Sequence, residues 1–168
     1  MSESMFCDMC NSKEINRLNA EFSAKSCNEK LARSLVSAMA VQLDPAIDEL
    51  SDIVTAVSEA VTNCIIHGYG RSNKKKEECI IKFECVLYEN AIEVGITDEG
   101  CGIEDIEKAR EPLYTSSPEM ERSGMGFTIM ESFCDGFYVD STVGDGTEIR
   151  LFKIFGGDDL CENTTTPQ

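Results

Sequence analysis

Ala91-Ile92-Glu93-Val94-Gly95-Ile96-Thr97-Asp98-Glu99-Gly100-Cys101-Gly102 reads as a strand that runs into a carboxylate and then a double-glycine turn. Ile92, Val94 and Ile96 share one face by strict alternation, and Asp98 falls on that face at the strand's end. A carboxylate closing an apolar row needs a hydrogen-bonding partner, because burying it alone is costly. Either Asp98 caps the turn, or it reads a donor on a ligand, such as the exocyclic amine of adenine. Thr147, in register with Ile149 and Leu151 on the last strand, can reach the same base edge. Gly100 and Gly102 then give a backbone able to take positive φ and to let a ligand approach closely.

Working outward, residues 79–88 alternate like a second strand joined to 91–98 by the tight Glu89-Asn90 turn. Upstream, 15–22 suggests a first strand. Leu31, Leu35 and Met39, with Val36 and Leu43 beside them, recur at helical spacing over 27–43. Asp44-Pro45 breaks that helix, and proline suits the first turn of a second one, over 46–68, closed by Gly68 and Gly70. Downstream, a short helix over 104–109 precedes an aperiodic stretch at 110–123, and Gly126 opens a helix to about 133. Strands at 137–141 and 147–155 meet at Gly144-Asp145-Gly146. The sum is an α/β (α+β) two-layer sandwich, with helices covering one face of a mixed, mostly antiparallel sheet. The domain spans 15–155, between a polar leader (1–14) and an acidic tail (156–168) expected to be disordered.

In the second helix Ile53, Val57, Ala60, Val61 and Cys64 form one stripe at helical periodicity and should face the sheet. Glu59 and Asn63 are four apart, so they stack one above the other, off that stripe. They are either a solvated polar face or a carboxylate and an amide able to orient a nucleophile and ligate a hard cation. Gly124 and Gly126 flank the start of the next helix, whose N–H groups and dipole favour an anion. Arg122 is either a surface residue or a planar fork for a terminal phosphate. There is no Walker loop, no His-Arg-Asp or Asp-Phe-Gly set and no Gly-x-Ser-x-Gly.

The 168 residues suffice for one domain with a real core, and their 42% hydrophobic and 27% charged content is globular rather than disordered. The formal charge of −16, from 31 acids against 15 bases, repels a phosphate backbone, so direct nucleic-acid binding is not expected. No apolar run is long enough for a membrane span and no signal-peptide core precedes the domain, so a cytoplasmic protein is expected. The nine cysteines then read as reduced small hydrophobes. Cys7 and Cys10 lack a second pair at zinc spacing, and the single histidine, His67, sits inside a helix. Lys74-Lys75-Lys76 reads as a solvated loop.

Glu-Ala-Val-Thr-Asn (59–63), Asp-Glu-Gly-Cys-Gly (98–102) and Gly-Met-Gly-Phe (124–127) resemble the N, G1 and G2 boxes of the GHKL superfamily of gyrase, histidine kinases and mismatch-repair ATPases. Residues 43–50, 57–69 and 121–131 are more specifically similar to the anti-sigma F factors of endospore-forming bacteria. That resemblance implies a dimeric serine protein kinase that holds a sporulation sigma factor inactive and, with ATP and Mg2+, phosphorylates a serine of a small anti-anti-sigma protein. It implies that Glu59 takes the serine proton, that Asn63 ligates magnesium, and that Asp98 and Thr147 read adenine. Gly100, Gly102, Gly124 and Gly126 would shape the nucleotide loops, and Arg122 would contact the γ-phosphate. The stretch 110–123 would be the ATP lid, and Arg33 a partner-contact position.

Overall fold

The computed structural model describes residues 13–70, 74–75, 77–111 and 125–156. The leader with Cys7 and Cys10, Arg122, Gly124, all of the expected lid but residues 110 and 111, and all of the tail but Gly156 lie outside them.

The five strands are β1 (Glu14–Ser23), β2 (Ile80–Tyr88), β3 (Ala91–Asp98), β4 (Gly136–Thr142) and β5 (Gly146–Ile154). They lie in the order β1-β2-β3-β5-β4, and every pairing is antiparallel. The sheet is therefore antiparallel rather than mixed: β4 runs parallel to β3, but β5 is inserted between them. The helices are α1 (Cys27–Ala40), α2 (Ile47–Asn63), α3 (Ile106–Ala109) and α4 (Gly126–Phe133). The main core lies between the helices and one sheet face, where Phe83 and Leu87 of β2, Ile92, Val94 and Ile96 of β3, and Ile149 and Leu151 of β5 are buried. On the other face Arg150 pairs with Glu84, Glu93 and Glu148 at 3.4, 2.9 and 2.7 Å, and a smaller cluster packs around Tyr88 and Phe152.

The apolar residues of α1 are not equally buried. Ala32, Val36, Met39 and Ala40 are buried, while Leu31 is 42% exposed. The Ser58 hydroxyl of α2 donates to Glu29 Oε1 at 2.5 Å, which turns the Glu29 side of α1 toward α2. Ala32, Val36 and Ala40 follow on that side by helical spacing. After a short 3-10 turn (Val41–Leu43), Asp44 takes a left-handed φ of 51°, and with Pro45 it redirects the chain. Pro45 stands just ahead of the helix rather than within its first turn, and Glu49 Oε2 accepts from Ala46 N at 2.8 Å.

The stripe expected on α2 is confirmed: Ile53, Ala56, Val57, Ala60 and Val61 are fully buried, and Cys64 nearly so. The helix does not run on unchanged to Gly68. Beyond Asn63 it widens into a π-helical stretch, Cys64–Tyr69. Such widened turns occur often at functional sites. At the far end of the sandwich Lys153 Nζ of β5 donates to Asp52 Oδ2 of α2 at 3.0 Å and to the Phe133 carbonyl of α4 at 2.9 Å, a strut across three elements.

Candidate functional site

A cavity of about 560 Å³ opens among the π-helical stretch, the end of β3, the loop leading to α3, the start of α4 and β5. Asn63, Asp98, Gly102, Gly126 and Thr147, expected from sequence to act together, all line it.

At one end stands Asp98, only 3% exposed, directly opposite Thr147 in the β3–β5 register. Its Oδ1 accepts from Gly100 N at 2.8 Å, so it does cap the turn. The carboxylate also takes bonds from the Cys64 thiol and the Thr147 backbone N–H. Burial pushes its pKa up, and these donors, with the charge of Lys74, hold it back. Cys64 is shifted well upward by its own burial and then by the Asp98 charge, so it remains a thiol and a donor. The apolar row of β3 ends in a charge that three donors make tolerable, and that charge faces a cavity.

The backbone around Asp98 is too close for side chains. A Cβ on Gly68 would stand 2.7–2.9 Å from the Asp98 carboxylate, and one on Gly100 would stand 2.2 Å from the Gly68 carbonyl oxygen. Cys101 N donates to that same carbonyl at 2.9 Å, and Cys101 Sγ donates to the His67 carbonyl at 3.0 Å. Gly102 alone in this loop takes positive φ, at 71°, and its Cβ would strike the Thr142 carbonyl. Of the two glycines expected to need positive φ here, Gly100 needs only space. Gly126 likewise lacks positive φ. The loop is thus wedged between the π-helical stretch and the β4–β5 turn, where Gly144 N donates to the Cys101 carbonyl at 2.9 Å.

At the other end, α4 begins against α2. A Cβ on Gly126 would lie 3.2 and 3.3 Å from the Asn63 amide atoms and 3.4 Å from Glu59 Oε2. Glu59 and Asn63, both half-buried, therefore converge on the first turn of α4. A helix N-terminus carries unsatisfied N–H groups and a partial positive charge, so this end suits an anion. The cavity thus brings a buried carboxylate, at Asp98, and a helix start, at Gly126, onto one lining. Among the described residues no group of three His, Cys, Asp or Glu could hold a metal alone. The Asn63 side-chain oxygen, with phosphate oxygens and waters completing the shell, is the donor set that suits magnesium.

Arg33 lies elsewhere, exposed on α1 and 3.5 Å from Glu29. Glu29 in turn holds Ser58, the neighbour of Glu59. Sequence reasoning missed Gly68, Cys64, Tyr69 and Ser141. Gly68 was legible as a spare glycine, since Gly70 alone suffices to end a helix. Tyr69 had no such signal. Its hydroxyl donates to the Ile80 carbonyl at 2.5 Å and accepts from Glu99 N at 2.9 Å, fixing the turn from outside.

Residues 22–153 match the histidine kinase-like ATPase domain family. An anti-sigma F factor of Clostridium botulinum (strain Alaska E43 / Type E3) is 56% identical over 140 residues, covering 83% of this chain and 95% of the relative. One from Thermoanaerobacter sp. (strain X514) is 51% identical over 143 residues, covering 85% and 96%. The crystal structure of the RsbU and RsbW domains of Rv1364c from Mycobacterium tuberculosis shares the fold at a TM-score of 0.59, with 15% identity over 84% of this chain and 33% of that one. The cavity lies within a histidine kinase-like ATPase domain, and the chain belongs to the anti-sigma F factor family.

Proposed function

We propose that this protein is a Mg-ATP-dependent serine kinase that also sequesters a sporulation sigma factor, its substrate being a small anti-anti-sigma protein. The observation that carries the reading is the meeting of the Glu59 carboxylate and the Asn63 amide at Gly126, while Asp98 occupies the opposite end of the same cavity. The names of its relatives support a sigma factor as partner.

In this reading Asp98 and Thr147 hold the adenine of ATP, and Gly100, Gly102, Gly124 and Gly126 shape the nucleotide loops. Arg122 meets the γ-phosphate. Asn63 would hold magnesium, which would supply charge neutralisation at the phosphates. Phosphoryl transfer depends on positioning and charge neutralisation more than on covalent help from the protein. A serine hydroxyl is a poor nucleophile, and Glu59 takes its proton as the serine oxygen bonds to the γ-phosphorus and ADP departs. A positioned base of this kind contributes ~10²–10⁴-fold. Arg33, on the outer face of α1, contacts the protein partner, and the working unit is a cytoplasmic homodimer.

The test is transfer of labelled γ-phosphate to the anti-anti-sigma protein by the native chain and by Glu59→Gln. Label on a substrate serine that is lost by orders of magnitude in the variant, with ATP binding retained, is the expected result. Undiminished transfer by Glu59→Gln removes it from the base role. ATP binding by the native chain with no transfer at all reduces the protein to a nucleotide-gated sequestering module.

A further inference from the structure

Behind the acidic end of the cavity stands Ser141, on β4 directly opposite Thr147 of β5. Its Oγ has three neighbours at hydrogen-bond distance. Ile103 N donates to it at 2.9 Å, the Gly146 carbonyl accepts from it at 2.9 Å, and Thr147 Oγ1 lies 2.9 Å away. A hydroxyl has one proton and two acceptor lone pairs. The Ile103 N–H can only donate, so it takes one lone pair. The Gly146 carbonyl can only accept, so it takes the proton. One lone pair remains for Thr147, which must therefore be the donor in that bond.

The single hydroxyl proton of Thr147 is thus committed to Ser141, and Thr147 turns only lone pairs toward a ligand. Its neighbour Asp98 already accepts from Gly100, Cys64 and Thr147 N–H, and it too presents only acceptors. The base-reading end of the cavity is therefore an acceptor-only wall. It complements a group rich in N–H, such as the 6-amino group of adenine, and opposes a carbonyl at that position.

We infer that Ser141 is a positioning residue that sets the choice of nucleobase, 6-amino over 6-oxo purine, by fixing the direction of the Thr147 hydroxyl. Ser141 touches no part of the ligand itself. The inference rests on the nucleotide-binding reading of the cavity and deepens it. A proton left free on Thr147 would swing toward a 6-oxo group and give it the donor it otherwise lacks.

The experiment is calorimetric measurement of Kd for ATP and ITP, whose bases differ in the group at position 6 and in the proton that ITP carries on N1, on the full chain and its variants. The native protein is expected to favour ATP, and Ser141→Ala to shrink that preference by about tenfold, the effect of one hydrogen bond gained by the wrong base. Ser141→Thr, which retains the hydroxyl, should keep the native preference. Thr147→Val should shrink the preference unaided, Asp98 retaining the rest, and Ser141→Ala added to it should change the ratio no further. A native ATP:ITP ratio in folded Ser141→Ala, or an equal further shrinkage in the Thr147→Val background, overturns the inference. Should Ser141→Ala not fold, a native ratio in Thr147→Val overturns it equally. Binding of neither nucleotide by the native chain would instead strike down the nucleotide reading, and this inference with it.

Discussion

Replacing Gly68 by alanine tests whether the π-helical stretch positions the acidic end of the cavity. The new Cβ would stand 2.8 Å from Asp98 Cγ. Ordinary contact between carbons begins at about 3.5 Å, so the carboxylate must retreat by about 0.7 Å. Asp98 is not a free side chain that can swing aside, because Gly100 N, Cys64 and Thr147 N all bond to it. Adding about 0.7 Å to the 2.8 Å bond from Gly100 reaches the length at which a hydrogen bond is no longer one. Overpacking of this kind costs about 1–3 kcal/mol. Alanine recovers about 0.8–1.0 kcal/mol through its higher helix propensity. The net loss of folding stability is then at most about 2 kcal/mol, while misplacing a charged acceptor costs a ligand about 1.5–3 kcal/mol. Binding should therefore suffer more than folding. Calorimetry is expected to show ATP affinity at least about tenfold weaker. Thermal denaturation should show a cooperative transition lowered by no more than about 8 °C. Affinity within twofold of native would mean that Asp98 slides without losing its ligand, and the positional argument would be wrong.

Asp98 also gives a pH signature. Burial holds its pKa above the ordinary 3.8, so the folded protein keeps this proton to higher pH than the unfolded chain does. The unfolded state then binds fewer protons over that interval, and stability falls as pH rises through it. Measured as the difference in melting temperature between native and Asp98→Asn proteins, native stability should decline relative to the variant as pH rises above the ordinary carboxylate value of 3.8. A flat difference would show that Asp98 is as well solvated folded as unfolded. At the far end of the sandwich, Lys153→Met removes the donor shared by Asp52 and the Phe133 carbonyl. The expected loss is about 1–3 kcal/mol, or a drop of about 2–4 °C for each kcal/mol. An unchanged melting curve would show that the strut contributes nothing to stability.

The sheet was legible because Phe83, Cys85 and Leu87 of β2, Ile92, Val94 and Ile96 of β3, and Ile149 and Leu151 of β5 recur at alternate positions, which assigns each set to one face. The same periodicity puts Asp98 and Thr147 at matching strand ends on one face, and the two residues do pair across β3 and β5. The helix α1 was less legible. Leu31, Leu35 and Met39 showed a helix but not which side packs, and α1 buries Ala32 and Ala40, small residues that carry little weight in a hydrophobic pattern. The order of the sheet could not be read at all, since inserting β5 between β3 and β4 depends on the crossover through α3 and α4 rather than on either strand's sequence. In the site, residues that act by their chemistry were visible as types at a spacing. Ser141, which acts by holding another hydroxyl, had no signal apart from its pairing partner.

The widening after Asn63 ties these observations together. Asn63, Cys64, His67 and Gly68 line the cavity and Glu59 reaches toward Gly126 on its wall, yet all five belong to a single helical run. The α-helical part has to keep Ile53, Val57, Ala60 and Val61 against the sheet. The part beyond it has to present the thiol of Cys64 to Asp98 and the bare backbone of Gly68 to the same carboxylate. The π-helical turn changes the rotation of the chain just where the requirement changes, from burying apolar side chains to surrounding a charge with donors and space. A buried carboxylate is a liability in a fold of this size, since leaving any one donor out exposes the full cost of desolvation. Its three donors come from the π-helical stretch, the glycine loop and β5, so its placement depends on all three being assembled. That dependence makes the acidic end of the cavity a property of the finished fold, and it explains why the glycines that permit it, Gly68 and Gly100, cannot be exchanged for alanine without moving the charge.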